Sequence, residues 1–247
     1  MGHVARRKSA AVCAAAAAAL LALGLASDAR AGVAMSASTA VPVNDALDQF
    51  NFVDDAVIPG GVYNSQAFSD NAGPPGQSFT TPASAQPLFL NGISLKGANT
   101  GGGNSGGNVF TAGTTWGLRV SRVSGTELTP VQTFSNIPTV TGAVGTEWYT
   151  FSFTGADVLT LSPATQYAFE VFSSTGYLGF DAATDPASYP AGVAFNTTGA
   201  ARQFSSTTIQ DRGYDRTFQV DLAVPEPTTL TALGVALLPA LTRRRSR

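Results

Sequence analysis

Two glutamates, Glu147 in "TEWYTF" and Glu170 in "YAFEVF", are the first candidates for chemistry in this 247-residue chain. Both fall on strand-like sequence. A pair of carboxylates on either side of a sugar bond can divide acid and nucleophile roles and so hydrolyse a glycoside. The plainer reading of each is an outward-facing strand residue. Asp181 with Asp185 in "DAATD", and Asp211 with Asp215 in "DRGYD", place oxygen ligands in loops, which suits calcium. Neither stretch is an EF-hand, and solvated turn carboxylates explain them as well. "GNSGG" around Ser105 satisfies Gly-x-Ser-x-Gly, but a nucleophile elbow needs a following helix and a histidine base. No Lys-Ser or Lys-Thr follows the glycines, so a phosphate-binding loop is excluded. Trp148, Tyr177 and Tyr189 are candidates for stacking on sugars, against the default that aromatics fill the core.

The elements that would position these residues begin after a leader. "MGHVARRKS" is basic, Ala10 to Leu25 is apolar, and "SDARAG" carries an Ala-x-Ala site. That order is a secretory signal peptide, with cleavage expected between Ala31 and Gly32. The only histidine, His3, and the only cysteine, Cys13, belong to the leader. The mature chain therefore offers no histidine base, no thiol nucleophile, no disulfide and few ligands for zinc. Its stability must come from burial. Residues 32–224 are numerous enough to bury about 70% of their unfolded surface in one domain. Within them 14 acidic side chains face 6 basic ones, a net charge of -8. Nucleic acid is excluded as a partner, since phosphate binding needs clustered Lys and Arg.

The ectodomain alternates with period two. "YDRTFQVDL" sets Tyr214, Arg216, Phe218, Val220 and Leu222 on one face and Asp215, Thr217, Gln219 and Asp221 on the other. "WYTFSF" points Tyr149, Phe151 and Phe153 inward, "TWGLRV" does so with Trp116, Leu118 and Val120, and "QYAFEVF" with Tyr167, Phe169 and Val171. "LFLNGISLK" slips phase at Asn91-Gly92, which predicts a bulge or tight turn. "GQSFTT", "VQTFSN", "YLGF", "VAFNTT" and "FSSTTIQ" are further strand candidates. The one helical pattern, "VNDALDQF", is short enough to be one or two turns or a loop. Many short strands separated by Gly, Pro, Asn, Asp and Ser predict an all-β fold, an antiparallel β-sandwich or jelly roll.

"LTLSPATQYAFEV" carries Leu161, Pro163, Thr165 and Tyr167 at spacings that resemble the tyrosine corner of fibronectin type III and related sandwiches. The resemblance implies a hydroxyl bonded back to the backbone, pinning a crossover between sheets. It covers about 13 residues and supports a sandwich without family membership.

The chain ends in Pro225, Glu226 and Pro227, then a mostly apolar stretch from Thr228 to Thr242, then Arg243, Arg244, Arg245 and Arg247. As a helix, that stretch would span about 22 Å at 1.5 Å per residue, short of a hydrocarbon core of about 30 Å. It is a poor permanent anchor and a serviceable temporary one, with the arginines as a stop held on the cytoplasmic side. A Pro-Glu-Pro triplet, an apolar transmembrane segment and a terminal arginine cluster, behind a signal peptide, resemble the bacterial PEP-CTERM sorting signal. The resemblance implies processing by exosortase, transient membrane contact through the tail, and association with exopolysaccharide and biofilm. It implies an address, not an activity.

The expected organisation is a signal peptide over 1–31, a β-sandwich over 32–224 and a sorting signal with a short hydrophobic helix over 225–247. The expected function is non-catalytic: an exported protein of the cell surface or extracellular matrix, structural or adhesive. A carbohydrate-binding module, with or without calcium, is the alternative, and a glycosidase the third. Expected partners are signal peptidase, exosortase and exopolysaccharide. No cofactor is expected, calcium being the one ion left open.

Overall fold

A computed structural model describes residues 32–52, 73–97, 113–140, 147–175, 180–183, 189–200 and 202–225. The expected leader including Ala31, most of the glycine-rich stretch with Ser105, Tyr177, Asp185, and the tail residues Glu226, Pro227, Arg243, Arg244, Arg245 and Arg247 lie outside them. The described residues form strands joined by turns, with a single 3-10 turn at Gly155–Asp157 and no α-helix.

The strands are β1 (Val33–Ser38), β2 (Gln49–Asn51), β3 (Pro75–Thr80), β4 (Leu88–Lys96), β5 (Thr115–Ser124), β6 (Glu127–Pro138) and β7 (Trp148–Phe153). They continue as β8 (Leu159–Leu161), β9 (Gln166–Ser173), β10 (Ala182–Ala183), β11 (Ala194–Thr197), β12 (Ile209–Asp211), β13 (Asp215–Arg216) and β14 (Phe218–Ala223). One sheet has the order β1-β7-β4-β14-β2, with β8 beside the start of β4. The other runs β12-β11-β3-β9-β5-β6, and β10 pairs with β13 in a short ribbon. Every pairing is antiparallel.

The period-two faces meet in one core. Ile93, Leu95, Phe151 and Val220 of the first sheet join Phe79, Leu118, Phe169 and Val171 of the second in a single buried cluster. Trp116 of β5 lies 6.0 Å from Tyr149 and 5.6 Å from Phe151 of β7, ring centre to ring centre. Each such side chain contributes about 1.5–3 kcal/mol by leaving water. The arrangement is consistent with a β-sandwich.

Two local expectations are realised. β4 runs unbroken through the phase slip, because Asn91 forms a bulge opposite the Asp221–Leu222 step of β14. The Ser162 amide donates to the Tyr167 hydroxyl at 2.9 Å. The corner it closes joins β8 of the first sheet to β9 of the second. Ala164 takes a positive φ of 46° to make the turn.

Other stretches are decided by where their polar groups find partners. "VNDALDQF" forms a turn and the start of β2, not a helix. Its polar groups bond locally instead: the Asp45 amide donates to Asp48 at 3.0 Å and the Leu47 amide to Asp45 at 2.9 Å. That turn in turn covers β14. The Gln219 amide nitrogen donates to the Val43 carbonyl and to Asp48, both at 2.7 Å. Gln219 is therefore buried, and Asp215 and Thr217, which share its face, are buried as well, as is Arg216 on the other.

A second covering lies on the outer face of the second sheet. Residues 202–209 run across it. The Leu128 amide donates to Thr207 at 2.9 Å and the Ile209 amide to Thr126 at 2.8 Å. Beneath, Leu128, Ala168 and Phe195 form a small apolar cluster apart from the main core.

Candidate functional site

The outer face of the first sheet brings hydroxyl, amide, carboxylate and aromatic side chains together. Its makeup follows from the strand register. Ser36 of β1 stands opposite Thr150, Thr150 opposite Ser94, Ser94 opposite Gln219, and Gln219 opposite Phe50. The neighbouring row is Ser38, Trp148 and Lys96. Short hydroxyl side chains keep the face low, and Ser94 and Thr150 bond to each other at 2.8 Å.

Aromatic rings stand at one end of this face. Phe50 and Phe52 stack with centres 4.7 Å apart, and Phe52 meets Trp148 edge-on at 5.5 Å. Phe50 is 38% exposed, whereas Trp148 is 3% exposed. Trp148 thus points to the face opposite Phe151 and Phe153, as its position predicts, but Phe52 lies against it. Tyr189, the other described aromatic candidate, is buried against Phe218 at 5.0 Å and bonds to Gln49. The usable stacking surface is Phe50, which falls in the stretch read as a helical pattern.

Carboxylates border the rings. Asp48 accepts bonds from the Asp45 and Leu222 amides, both at 3.0 Å, and from Gln219. Asp221 accepts from Asn91 at 3.5 Å. Partial burial holds Asp221 above the usual carboxylate range, and the Asp48 charge adds to the shift. Ser94, Gln219 and Asp48 are buried, so what this face offers a pyranose ring is Phe50 for stacking and Ser36, Ser38, Thr150, Asn91 and Asp221 as polar partners.

Glu147 and Glu170 are not brought onto one strand or one sheet. Glu147 precedes β7 in the first sheet, and Glu170 sits inside β9 in the second. Glu170 is also not solvated. It is 0% exposed and accepts from Arg119 Nε at 2.6 Å, its direct neighbour on β5. The second Glu170 oxygen has no hydrogen-bond partner. Burial pushes Glu170 up, against the downward pull of the Arg119 guanidinium. The Arg119 Nη2 donates to the Ser206 carbonyl at 2.6 Å, and Phe204 lies over the guanidinium at 4.9 Å. The covering segment that seals the pair was not legible. A sequence signal for the pair existed: one cation in "TWGLRV" and one anion in "QYAFEVF", each amid apolar residues.

Of the calcium candidates, Asp181 is buried just before β10, and Asp211 and Asp215 have partners within the fold. Asp211 caps its own turn, accepting from the Gly213 amide at 2.8 Å. Asp215 belongs to β13, not to a loop, and accepts from Gln77 at 3.1 Å and from the Tyr189 amide at 3.0 Å. Among the described residues no three His, Cys, Asp or Glu side chains converge where a metal could bind.

A groove of about 350 Å³ lies between the start of β1 and the end of β6, lined by Gly32, Val33, Phe134, Asn136, Ile137 and Asp157. Gly32, the expected mature N-terminus, is one of the lining residues. Among the described lining residues Asp157 is the only ionisable one.

Comparison with protein-family models, with curated proteins and with solved structures finds no match for this chain.

Proposed function

We propose that this chain is an exported, surface-sorted β-sandwich or jelly roll that serves as a non-catalytic structural or adhesive component of an extracellular polysaccharide matrix. The reading rests on the PEP-CTERM resemblance of residues 225–247 and the leader over residues 1–31. One structural observation supports it best. β14 lies inside its sheet, between β4 and β2, and ends at Ala223, with Pro225 two residues on. A folded domain thus gives way at once to the triplet. Each proline fixes its own φ and biases the preceding residue away from helix, so Glu226 is offered to a protease as extended chain. The arginines resist translocation and hold the triplet at the membrane surface while the tail is engaged. Exosortase is the processing partner and signal peptidase acts at the Ala31–Gly32 bond.

Glu226→Ala should block processing and leave the ectodomain folded. Replacing Arg243, Arg244, Arg245 and Arg247 with serine should release the chain unprocessed. Mass spectrometry of wild-type protein from a host with exosortase decides the matter: a mature chain that still ends in Arg247 would sink the sorting reading.

The alternative is a carbohydrate-binding module, and the exposed Phe50 on its stacked partner Phe52 favours it. Its test is a glycan array on which wild-type chain binds and Phe50→Ala loses signal. No comparable observation favours a glycosidase, because Glu170 is committed to Arg119 beneath residues 202–209.

A further inference from the structure

The groove between β1 and β6 places Gly32 and a carboxylate on one surface, since Gly32 and Asp157 both line it. The two are linked through Thr154. Its hydroxyl donates to the Gly32 carbonyl at 3.2 Å, and its own carbonyl accepts from the Asp157 amide at 3.2 Å. Thr154 opens the 3-10 turn Gly155–Asp157, so this turn holds its carboxylate beside the start of β1.

The other sheet adds an acceptor. Trp116 and Leu118 of β5 stand opposite Ile137 and Phe134 of β6, so Ser135 and Asn136 bulge opposite Gly117. Asn136 takes a positive φ of 59° there and also lines the groove. Bulges of this kind re-aim a side chain out of the regular ladder. The Asn136 amide oxygen is a hydrogen-bond acceptor.

Removal of the leader changes the chemistry at this place. Hydrolysis of the Ala31–Gly32 bond consumes one water. Its oxygen goes to Ala31, which leaves with the leader as a carboxylate. Its two hydrogens go to the Gly32 nitrogen, which becomes an ammonium, the ordinary form of an α-amino group below a pH of about 8. A neutral amide with one donor is thereby replaced by a cation with three. Asp157 is the one ionisable group among the described lining residues, so no second cation competes for it there.

We propose that the groove seats the mature amino terminus: the α-ammonium of Gly32 pairs with Asp157, and the Asn136 amide oxygen is its second acceptor. The inference rests on cleavage between Ala31 and Gly32. β1 is the outermost strand of its sheet and pairs with β7 alone among the described strands. The pairing fastens the start of this edge strand to the turn between β7 and β8 and to β6 of the other sheet. A chain that still carries its leader lacks the ammonium, so the contact joins the fold only on maturation.

The test begins with N-terminal sequencing of the exported protein, which should start at Gly32. Any other start overturns the cleavage reading and this inference with it. Thermal melts at pH 7 then compare four exported chains: wild type, Asp157→Asn, a chain with Gly-Ser inserted between Ala31 and Gly32, and the two changes combined. The insertion keeps the ammonium but moves it two residues away from the groove, and sequencing verifies each terminus. Asp157→Asn should lower the midpoint by about 1–3 °C in the chain that starts at Gly32 and leave it unchanged in the inserted chain. An equal loss in both backgrounds, or no loss in either, overturns the proposal and leaves the cleavage reading intact. A crystal structure of the exported protein is the second readout. The Gly32 nitrogen should lie within about 4 Å of the Asp157 carboxylate, and a terminus directed away from the groove overturns the proposal.

Discussion

Tyr167 shows how one side chain serves two environments. Its ring is 5% exposed in the core, and its hydroxyl accepts the Ser162 amide at the corner between the sheets. Tyr167→Phe keeps the ring and strands the amide, which should cost on the order of 1 kcal/mol. Urea denaturation would read this as a lower midpoint with an unchanged slope. Asp221 gives a pH-dependent case. Its carboxyl is held above the ordinary value by partial burial first and by Asp48 second. The folded chain therefore keeps this proton to higher pH than the unfolded chain does. The stability that this group contributes is present in acid and is lost as pH rises through the raised value. Asp221→Asn removes the loss, so the variant should melt higher than wild type at pH 7. The gap should close as the pH is lowered to about 4, where an aspartate is half protonated even when unperturbed. Melts at the two pH values check it; a gap that widens in acid would show the sign to be wrong.

At the scale of elements, glycines mark where strands carry a ring on their outer side. Gly76 of β3 is paired with β9 on one side and β11 on the other. A Cβ there would run into the Phe195 ring and the Phe169 carbonyl. The carbonyl cannot yield without moving β9, so Gly76→Ala should destabilise by roughly 1–3 kcal/mol. Gly92 of β4 is different. A Cβ there would stand 3.6 Å from the Phe151 carbonyl and 3.7 Å from Asp221, ordinary contact distances. Gly92→Ala should change stability by less than about 0.5 kcal/mol. Paired thermal melts separate the two, and equal effects would contradict the packing account. The edges of the second sheet are managed as well. β6 is bulged at two points against β5 and carries Pro130 and Pro138, which breaks the regular ladder that a stray strand would need.

For the whole molecule, the position of β14 decides what truncation does. It supplies Phe218, Val220 and Leu222 to the shared core and is bonded on both sides, to β4 and β2. A chain ended after Arg216 should lose its cooperative melting transition. A chain ended after Pro225 should keep it, because β14 is complete at Ala223. Circular dichroism against temperature distinguishes the two. Loss of the transition in the longer chain would mean that the tail supports the fold.

The sequence by itself determined the features that depend on neighbours along the chain. Period-two alternation placed Trp116, Tyr149, Phe151 and Phe169 in the core because strand geometry sends successive side chains to opposite faces. The bulge at Asn91 and the Tyr167 corner were legible for the same reason, each being set within a few residues. Tertiary structure alone decided what covers the other face of each sheet. Glu170 is sealed by Arg119 from 51 positions away and by residues 202–209, and Gln219 by a turn 171 positions away. The stacking surface moved from Trp148 to Phe50 because Phe52 lies against the tryptophan. Alternation reports that one face of a strand is buried. It carries no information about a distant segment that returns over the opposite face, and here those returning segments determine which polar and aromatic groups reach solvent.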